Sequence, residues 1–313
     1  MKMKHAIVFG ASGGMGYALV MELISRGFVV TAFARNEQKL KELFGHLKEV
    51  NIHPGDAMNQ EEVAEACRKK DFIFHSINIP YPEWTDGHPH IMQNLLQAVK
   101  QENSRFILAD NIYAYGRQTE AVKESASKKP HTKKGKIRLH LEQMVKSAEI
   151  PYLIIHFPDY YGPKAENTYI HFTLNQMLQN RTSQFVGSLN LEREYIYTPD
   201  GAKAAVELAL TPHAYQQNWN IPGAGTLTGK EFVKVVRDAT GYSKKVITVK
   251  KGMISFIGLF DKMMRESVEM MYLTEKPVLL SGAKYEKEIG PLPRTPFDLG
   301  IRAVISSMQK NSH

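Results

Sequence analysis

Gly10, Gly13 and Gly16 recur at three-residue spacing in Gly10-Ala11-Ser12-Gly13-Gly14-Met15-Gly16. An apolar run, His5 to Phe9, precedes them, and a segment with helical character, Tyr17 to Arg26, follows and stops at Gly27. Glycines permit positive φ and let the main chain approach a ligand closely. The unpaired N–H groups that open a helix, backed by its dipole, favour an anion such as a pyrophosphate. A second apolar run, Phe28 to Phe33, lies at βαβ distance. Gly10, Ser12, Gly13, Gly14, Met15 and Gly16 are therefore expected to cradle a dinucleotide, with a tight strand-to-helix turn as the plainer alternative.

The end of the second strand bears on which dinucleotide. An acidic residue there binds the ribose hydroxyls of NAD, but the strand ends Ala32-Phe33-Ala34-Arg35-Asn36. A guanidinium pairs with a 2′-phosphate that a carboxylate would repel. Arg35 thus predicts NADP(H) in preference to NAD(H), unless it is a surface arginine at a helix start. Asp56, after Pro54-Gly55, is placed to reach an adenine or simply to make a turn. Ser76, Ile77 and Asn78 end the fourth strand, at the carboxyl edge where open α/β sheets bind ligands.

The elements that must position these residues alternate. Strands are expected at Phe28 to Ala34, Glu49 to His53, Phe72 to Ser76, Arg105 to Ala109 and Tyr152 to His156, with helices between, including His90 to Lys100 and Ile137 to Ala148. Such alternation implies an α/β fold, a doubly wound parallel sheet with helices on both faces. Further sheet units are expected at Asp200 to Leu210 and Asn218 to Ile221, then helices at Thr228 to Thr240 and around Phe260 to Tyr272. The expected division is a Rossmann-type nucleotide domain over 1–165, completed by 193–222, and a smaller substrate domain from 166–192 and 223–313.

The 313 residues suffice for a large core, and the formal charge is +8. The densest basic cluster is Lys128, Lys129, Lys133, Lys134, Lys136 and Arg138, read as a solvated loop running into a helix, or as attraction for a phosphorylated ligand. No nucleic-acid-binding motif accompanies it, so no nucleic-acid partner is expected. The first strand begins almost at once, so no signal peptide is expected, and the longest apolar stretch, Met253 to Phe260, is too short to span a bilayer. That stretch could be a mobile lid, a partner surface or plain core, and core or lid packing of the small domain is the favoured expectation. A single cysteine, Cys67, fits a cytoplasmic protein, and no membrane partner is expected. Asp86 with His88-Pro89-His90 suits a loop entering a helix, so no metal site is expected. Pro80-Tyr81-Pro82-Glu83-Trp84 carries two aromatics at the cleft edge; Tyr81 and Trp84, with Tyr161, are candidate substrate contacts.

In Gly10 to Gly16, Asp71 to His75, Asp110-Asn111-Ile112-Tyr113-Ala114-Tyr115-Gly116, Pro158 to Pro163 and Trp219 to Gly223, the chain resembles the extended short-chain dehydrogenase/reductase superfamily, in its NAD-dependent epimerase/dehydratase branch. The resemblance implies a Rossmann domain, a small C-terminal domain and a site between them. It also implies a serine or threonine after the fifth strand and a Tyr-x-x-x-Lys pair on the next helix. Here Asn111 stands for the serine, Lys134 for the tyrosine and Arg138 for the lysine, while Tyr113 is an alternative proton donor. The expected function is an NADP(H)-dependent oxidoreductase or epimerase/dehydratase-like enzyme, acting on a sugar, sugar nucleotide or small carbonyl or hydroxyl compound. The alternative is a catalytically inactive NADP(H)-binding sensor or interaction protein. The resemblance further implies a monomer or a homodimer, the latter through the helices at 90–100 and 137–148.

Overall fold

The structure, a computed structural model, describes residues 4–310. In chain order the first half runs β1 (His5–Phe9), α1 (Gly14–Ser25), β2 (Val29–Ala34), α2 (Glu37–Phe44), β3 (Val50–Pro54), α3 (Gln60–Cys67), β4 (Phe72–His75), α4 (Trp84–Glu102), β5 (Arg105–Asn111), α5 (Lys133–Lys146) and β6 (Tyr152–Phe157). The second half runs β7 (Asp159–Tyr161), α6 (Tyr169–Leu178), β8 (Ser183–Val186), β9 (Glu192–Tyr197), α7 (Thr198–Leu210), β10 (Gln217–Asn220), β11 (Thr226–Thr228), α8 (Gly229–Thr240) and β12 (Val246–Val249). It closes with α9 (Lys251–Ile257), α10 (Lys262–Ser267), α11 (Ala283–Glu288) and α12 (Phe297–Lys310).

A seven-stranded sheet orders its strands β10-β6-β5-β4-β1-β2-β3, every pair parallel. Period-two alternation gives each strand two buried faces. Ala6, Val8, Phe72, Phe74, Leu153 and Ile155 pack toward α1 and α7 on one side. Ile7, Phe9, Ile73, Phe106 and Ile154 pack toward α4 and α5 on the other. Strand order reverses between β1 and β4, so their carboxyl ends open the crevice that such a switch point creates.

A second region is built from the sheet β11-β9-β7 and the parallel pair β12-β8, with a core of its own around Phe185, Tyr195, Phe232 and Ile301. Two departures from the sequence expectation lie here. The helix expected across Phe260 to Tyr272 is broken into α10 and a 3-10 turn at Val268–Thr274. Asp261 starts α10 by accepting the Met264 N–H at 2.9 Å. The corner before it needs Gly258, where a Cβ would stand 2.8 Å from Arg265 Cα. Nor is the stretch Met253 to Phe260 core: only Ile254 and Gly258 are buried, while Phe256, Leu259 and Phe260 face outward. Among the described residues, no helix is long and apolar enough to cross a membrane.

Candidate functional site

The glycine turn lies at the β1–β4 crevice. Gly10 takes φ +83°, and a Cβ on it would sit 2.9 Å from Ile77 N, so β1 and β4 can converge only with glycine there. The Gly10 and Ala11 N–H groups bind Phe33 O at 3.0 and 3.2 Å, tying the turn to the end of β2. A Cβ at Gly16 would meet Gly10 O at 2.0 Å and one at Gly14 would meet Ala165 Cα at 2.5 Å, so both hold the start of α1 against its neighbours. Gly13 differs: it is exposed, and a Cβ there would touch only Gly10 O at 3.5 Å. It caps α1 without a side-chain bond. The start of this helix is thus bare backbone facing outward, a fit for the diphosphate of a dinucleotide. Ser12 is half-buried beside Gly13, and Met15 is buried against the core.

Arg35 is exposed directly after β2 and has no side-chain partner among the described residues. Asn36 next to it caps α2, taking the Lys39 N–H at 2.9 Å. Asp56 spends one carboxylate oxygen on the Met58 N–H at 3.0 Å, the turn geometry that was its plainer reading. Ser76 gives its hydroxyl to Phe9 O at 3.0 Å, which closes the β1–β4 crevice from below. Ile77 is half-buried against Gly10, and Asn78 is exposed.

The residues standing where the resemblance puts chemistry are held by partners. Asn111 ends β5 and takes the Tyr113 N–H at 2.9 Å, acting as a cap. The Tyr113 and Tyr81 hydroxyls lie 3.2 Å apart. Burial pushes both phenols well above their ordinary pKa, and neighbouring acidic and phenolic groups add to the effect. Lys134 has a fully buried side chain, with its Nζ 5.3 Å from the Tyr81 ring centre. It is bonded to Glu266 and lies 3.0 Å from Glu269. The Lys134 bond is the main reason the Glu266 carboxyl falls below its ordinary range. Glu269 also takes the Lys133 N–H at 2.6 Å, capping α5 from across the chain. Arg138 turns inward: it lies 3.3 Å from Asp110, stacks 4.4 Å over the Trp84 ring and reaches Asn78 Oδ1 at 3.5 Å.

Two proposed substrate contacts are interior instead. Trp84 is fully buried, donates to Ile79 O at 2.8 Å and stacks edge-on with Tyr81 and His88, forming the wall behind the tyrosines. Tyr161 is buried in the second core, between Tyr197 and Phe297. Tyr81 is half-buried at the crevice side.

The basic cluster is not a solvated loop throughout. Lys129, Lys133 and Lys136 are exposed, but Lys134 and Arg138 are buried, and so is most of Lys128. Lys128 pairs with Glu142, which also lies 2.6 Å from Lys146 and accepts from Asn218 at 2.7 Å. His156 Nε2 lies 3.0 Å from Lys128 Nζ and 3.4 Å from Glu142. Burial opposes the Glu142 charge, yet the bonds from His156 and Lys128 outweigh it and hold the carboxyl far below its ordinary range. Burial, then the Lys128 charge, push the His156 ring below its ordinary pKa. Sequence reading missed Glu142 as a hub and Glu266 and Glu269 as partners of Lys134. The three-residue spacing of the latter pair was the available signal, because i and i+3 side chains share a helix side.

Over residues 10–183 the chain matches a family described as NAD(P)H-binding. Among curated proteins it is 39% identical over 74 residues to 2-alkyl-3-oxoalkanoate reductase of Shewanella oneidensis, a span of 24% of this chain and 18% of that protein. It is 40% identical over 60 residues to a PIGF/3-ketodihydrosphingosine reductase fusion protein of Schizosaccharomyces pombe, 19% of this chain and 12% of that one. The chain therefore spans less than a fifth of the length of either. Similar solved structures include UDP-glucuronic acid 4-epimerase of Bacillus cereus in complex with NAD, with a TM-score of 0.82 at 17% identity over 99% of this chain and 100% of that one. dTDP-glucose 4,6-dehydratase of Bacillus anthracis superposes with a TM-score of 0.81 at 16% identity, over 98% and 97% of the two chains. The family match covers more than half of the sequence and runs from the glycine turn through β2 to β6, so this protein belongs to the NAD(P)H-binding family, and it shares its fold with the epimerase and dehydratase structures.

Proposed function

We infer that this protein is an NADP(H)-dependent oxidoreductase or epimerase/dehydratase-like enzyme acting on a sugar, sugar nucleotide or small carbonyl or hydroxyl substrate. The observation that carries the reading is the Tyr81–Tyr113 hydroxyl pair, 3.2 Å apart, beside the buried Lys134. A bound nicotinamide supplies or accepts a hydride. The chain must then deliver or take a proton at the substrate oxygen. Tyr113 is the donor in this reading, with Tyr81 relaying the proton and Lys134 holding a positive charge near the developing phenolate. Asn111 fixes the Tyr113 backbone, and Arg138 reaches the crevice through Asn78. Gly10, Ser12, Gly13, Gly14 and Met15 would hold the diphosphate, and Arg35, unpaired by any carboxylate among the described residues, would select the 2′-phosphate. Residues 1–165 with 193–222 serve the cofactor in this reading, and 166–192 with 223–313 serve the substrate.

One observation favours an inert NADP(H)-binding sensor: Lys134 and Arg138 are both matched by carboxylates, Glu266 with Glu269 and Asp110. Calorimetric titration with NADPH and NADH, followed by NADPH consumption against a carbonyl panel, tests both. Tight NADPH binding with turnover of at least one carbonyl supports the enzyme. A saturable complex inert toward the whole panel favours the sensor, and binding of neither nucleotide overturns the cofactor assignment.

A further inference from the structure

Seven of the ten large apolar side chains that stand exposed among the described residues fall between Ile247 and Met263. Phe256, Leu259 and Phe260 are 66%, 68% and 84% exposed, and Met253, Ile257 and Met263 flank them. The Phe256 and Phe260 rings meet edge to face with centroids 6.2 Å apart, so the side chains form one ridge across the α9–α10 corner. Scattered exposed apolar residues are ordinary, but a concentrated ridge marks an interaction surface. Nothing in the packing requires these residues to point outward: Ile254 alone of the helix side chains anchors α9, against Val186, Val249 and Met271.

The charge around the ridge says what it meets. Lys244, Lys245, Lys250, Lys251, Lys262 and Arg265 are all exposed, and of their charges only that of Lys262 acts on a described carboxylate, Glu266. Asp261 is the one exposed acid between Lys244 and Arg265, and its side chain is used as the cap of α10. An apolar ridge with phenylalanines, rimmed by exposed lysines, has the composition of an interfacial element that seats its rings at the acyl boundary and its ammonium groups among anionic headgroups. The same segment continues into Glu266 and Glu269, which pair with Lys134 beside the Tyr81 ring.

We propose that the ridge from Met253 to Met263 docks this protein onto an anionic lipid surface. Co-sedimentation of the full chain with phosphatidylcholine vesicles, with and without added phosphatidylglycerol, tests it. Binding is expected with the anionic vesicles, weaker with the neutral ones and falling as salt rises. The triple variant Phe256→Ser, Leu259→Ser, Phe260→Ser should lose roughly tenfold or more of that binding, as should Lys251→Glu with Lys262→Glu. These positions are exposed, and an unchanged circular dichroism spectrum and melting temperature would confirm intact folding. No binding to either vesicle, or binding that survives the triple variant, overturns the proposal. So does a dimer in gel filtration that the triple variant disperses in the absence of lipid affinity, which would assign the ridge to a second copy of the chain.

Discussion

Arg35 extends from the end of β2 with no carboxylate partner among the described residues, next to a turn whose N–H groups are tied to the same strand end. Its guanidinium can form charge-assisted hydrogen bonds with a 2′-phosphate and finds no such group on NADH. Arg35→Ala is expected to weaken NADPH by roughly tenfold or more, about 1.4 kcal/mol, and to leave NADH nearly unchanged. Matched calorimetric titrations read this directly, and equal losses for both nucleotides would remove Arg35 from the site. Tyr113 presents a different test. Its hydroxyl contacts only that of Tyr81 among the described side chains, and its ring stacks along the buried Trp84. Tyr113→Phe removes one oxygen without opening a cavity. On the proposed mechanism it lowers kcat by roughly 10²-fold or more while the nucleotide Kd holds. Full turnover in the variant would transfer the proton step to another group.

At the scale of elements, the three helix-opening glycines separate fold from binding. A Cβ at Gly16 collides with Gly10 O at 2.0 Å, and neither partner is a flexible side-chain end, so the turn itself must move. Gly16→Ala should cost about 1–3 kcal/mol in denaturant unfolding. Gly13 has extended backbone at φ −89°, and a Cβ there would make only an ordinary contact with Gly10 O at 3.5 Å. Gly13→Ala should change stability by no more than about 0.5 kcal/mol, yet intrude where the diphosphate lies and weaken nucleotide binding. Comparable destabilisation by both changes would undo this division. These elements were legible in the sequence because their signals are local. An apolar run, a glycine turn and a periodic segment lie within a few residues of one another, and β1 to β6 fall within a residue or two of the expected strands, apart from a longer C-terminal end to β5. The site was only half legible for the converse reason. Lys134 meets carboxylates more than 130 positions away, and Tyr81 meets Tyr113 across two strand ends. Composition could not choose between core, lid and partner surface at Met253 to Phe260, and only the core reading fails there, because apolar character carries no information on whether a neighbouring element covers it.

The two regions of the molecule are joined through a buried carboxylate. Glu194, in β9, accepts the Leu280 N–H at 2.9 Å, and a Gly223 backbone hydrogen bond also reaches it. It thereby links the small sheet to the segment that leads into α11 and to the loop that leaves β10. Burial is the dominant influence and pushes its carboxyl up to about 7, against those two hydrogen bonds and the more distant Arg294 charge. In the unfolded chain a glutamate titrates near 4.3. The fold therefore holds the Glu194 proton more tightly than the unfolded chain does. The resulting stabilisation is complete below about pH 4 and fades as the pH rises through about 7, by an amount on the order of 3 kcal/mol. Glu194→Gln keeps an oxygen for the Leu280 N–H and has no proton to lose. The difference in unfolding free energy between the variant and the parent should accordingly grow in favour of the variant from pH 5 to pH 8. Comparing the two proteins cancels the titration of groups they share, including the Glu142 hub and the Lys134 carboxylates. Parallel stability curves for both across that range would mean that Glu194 is ionised in the fold, and that the junction between the two regions tolerates a buried negative charge.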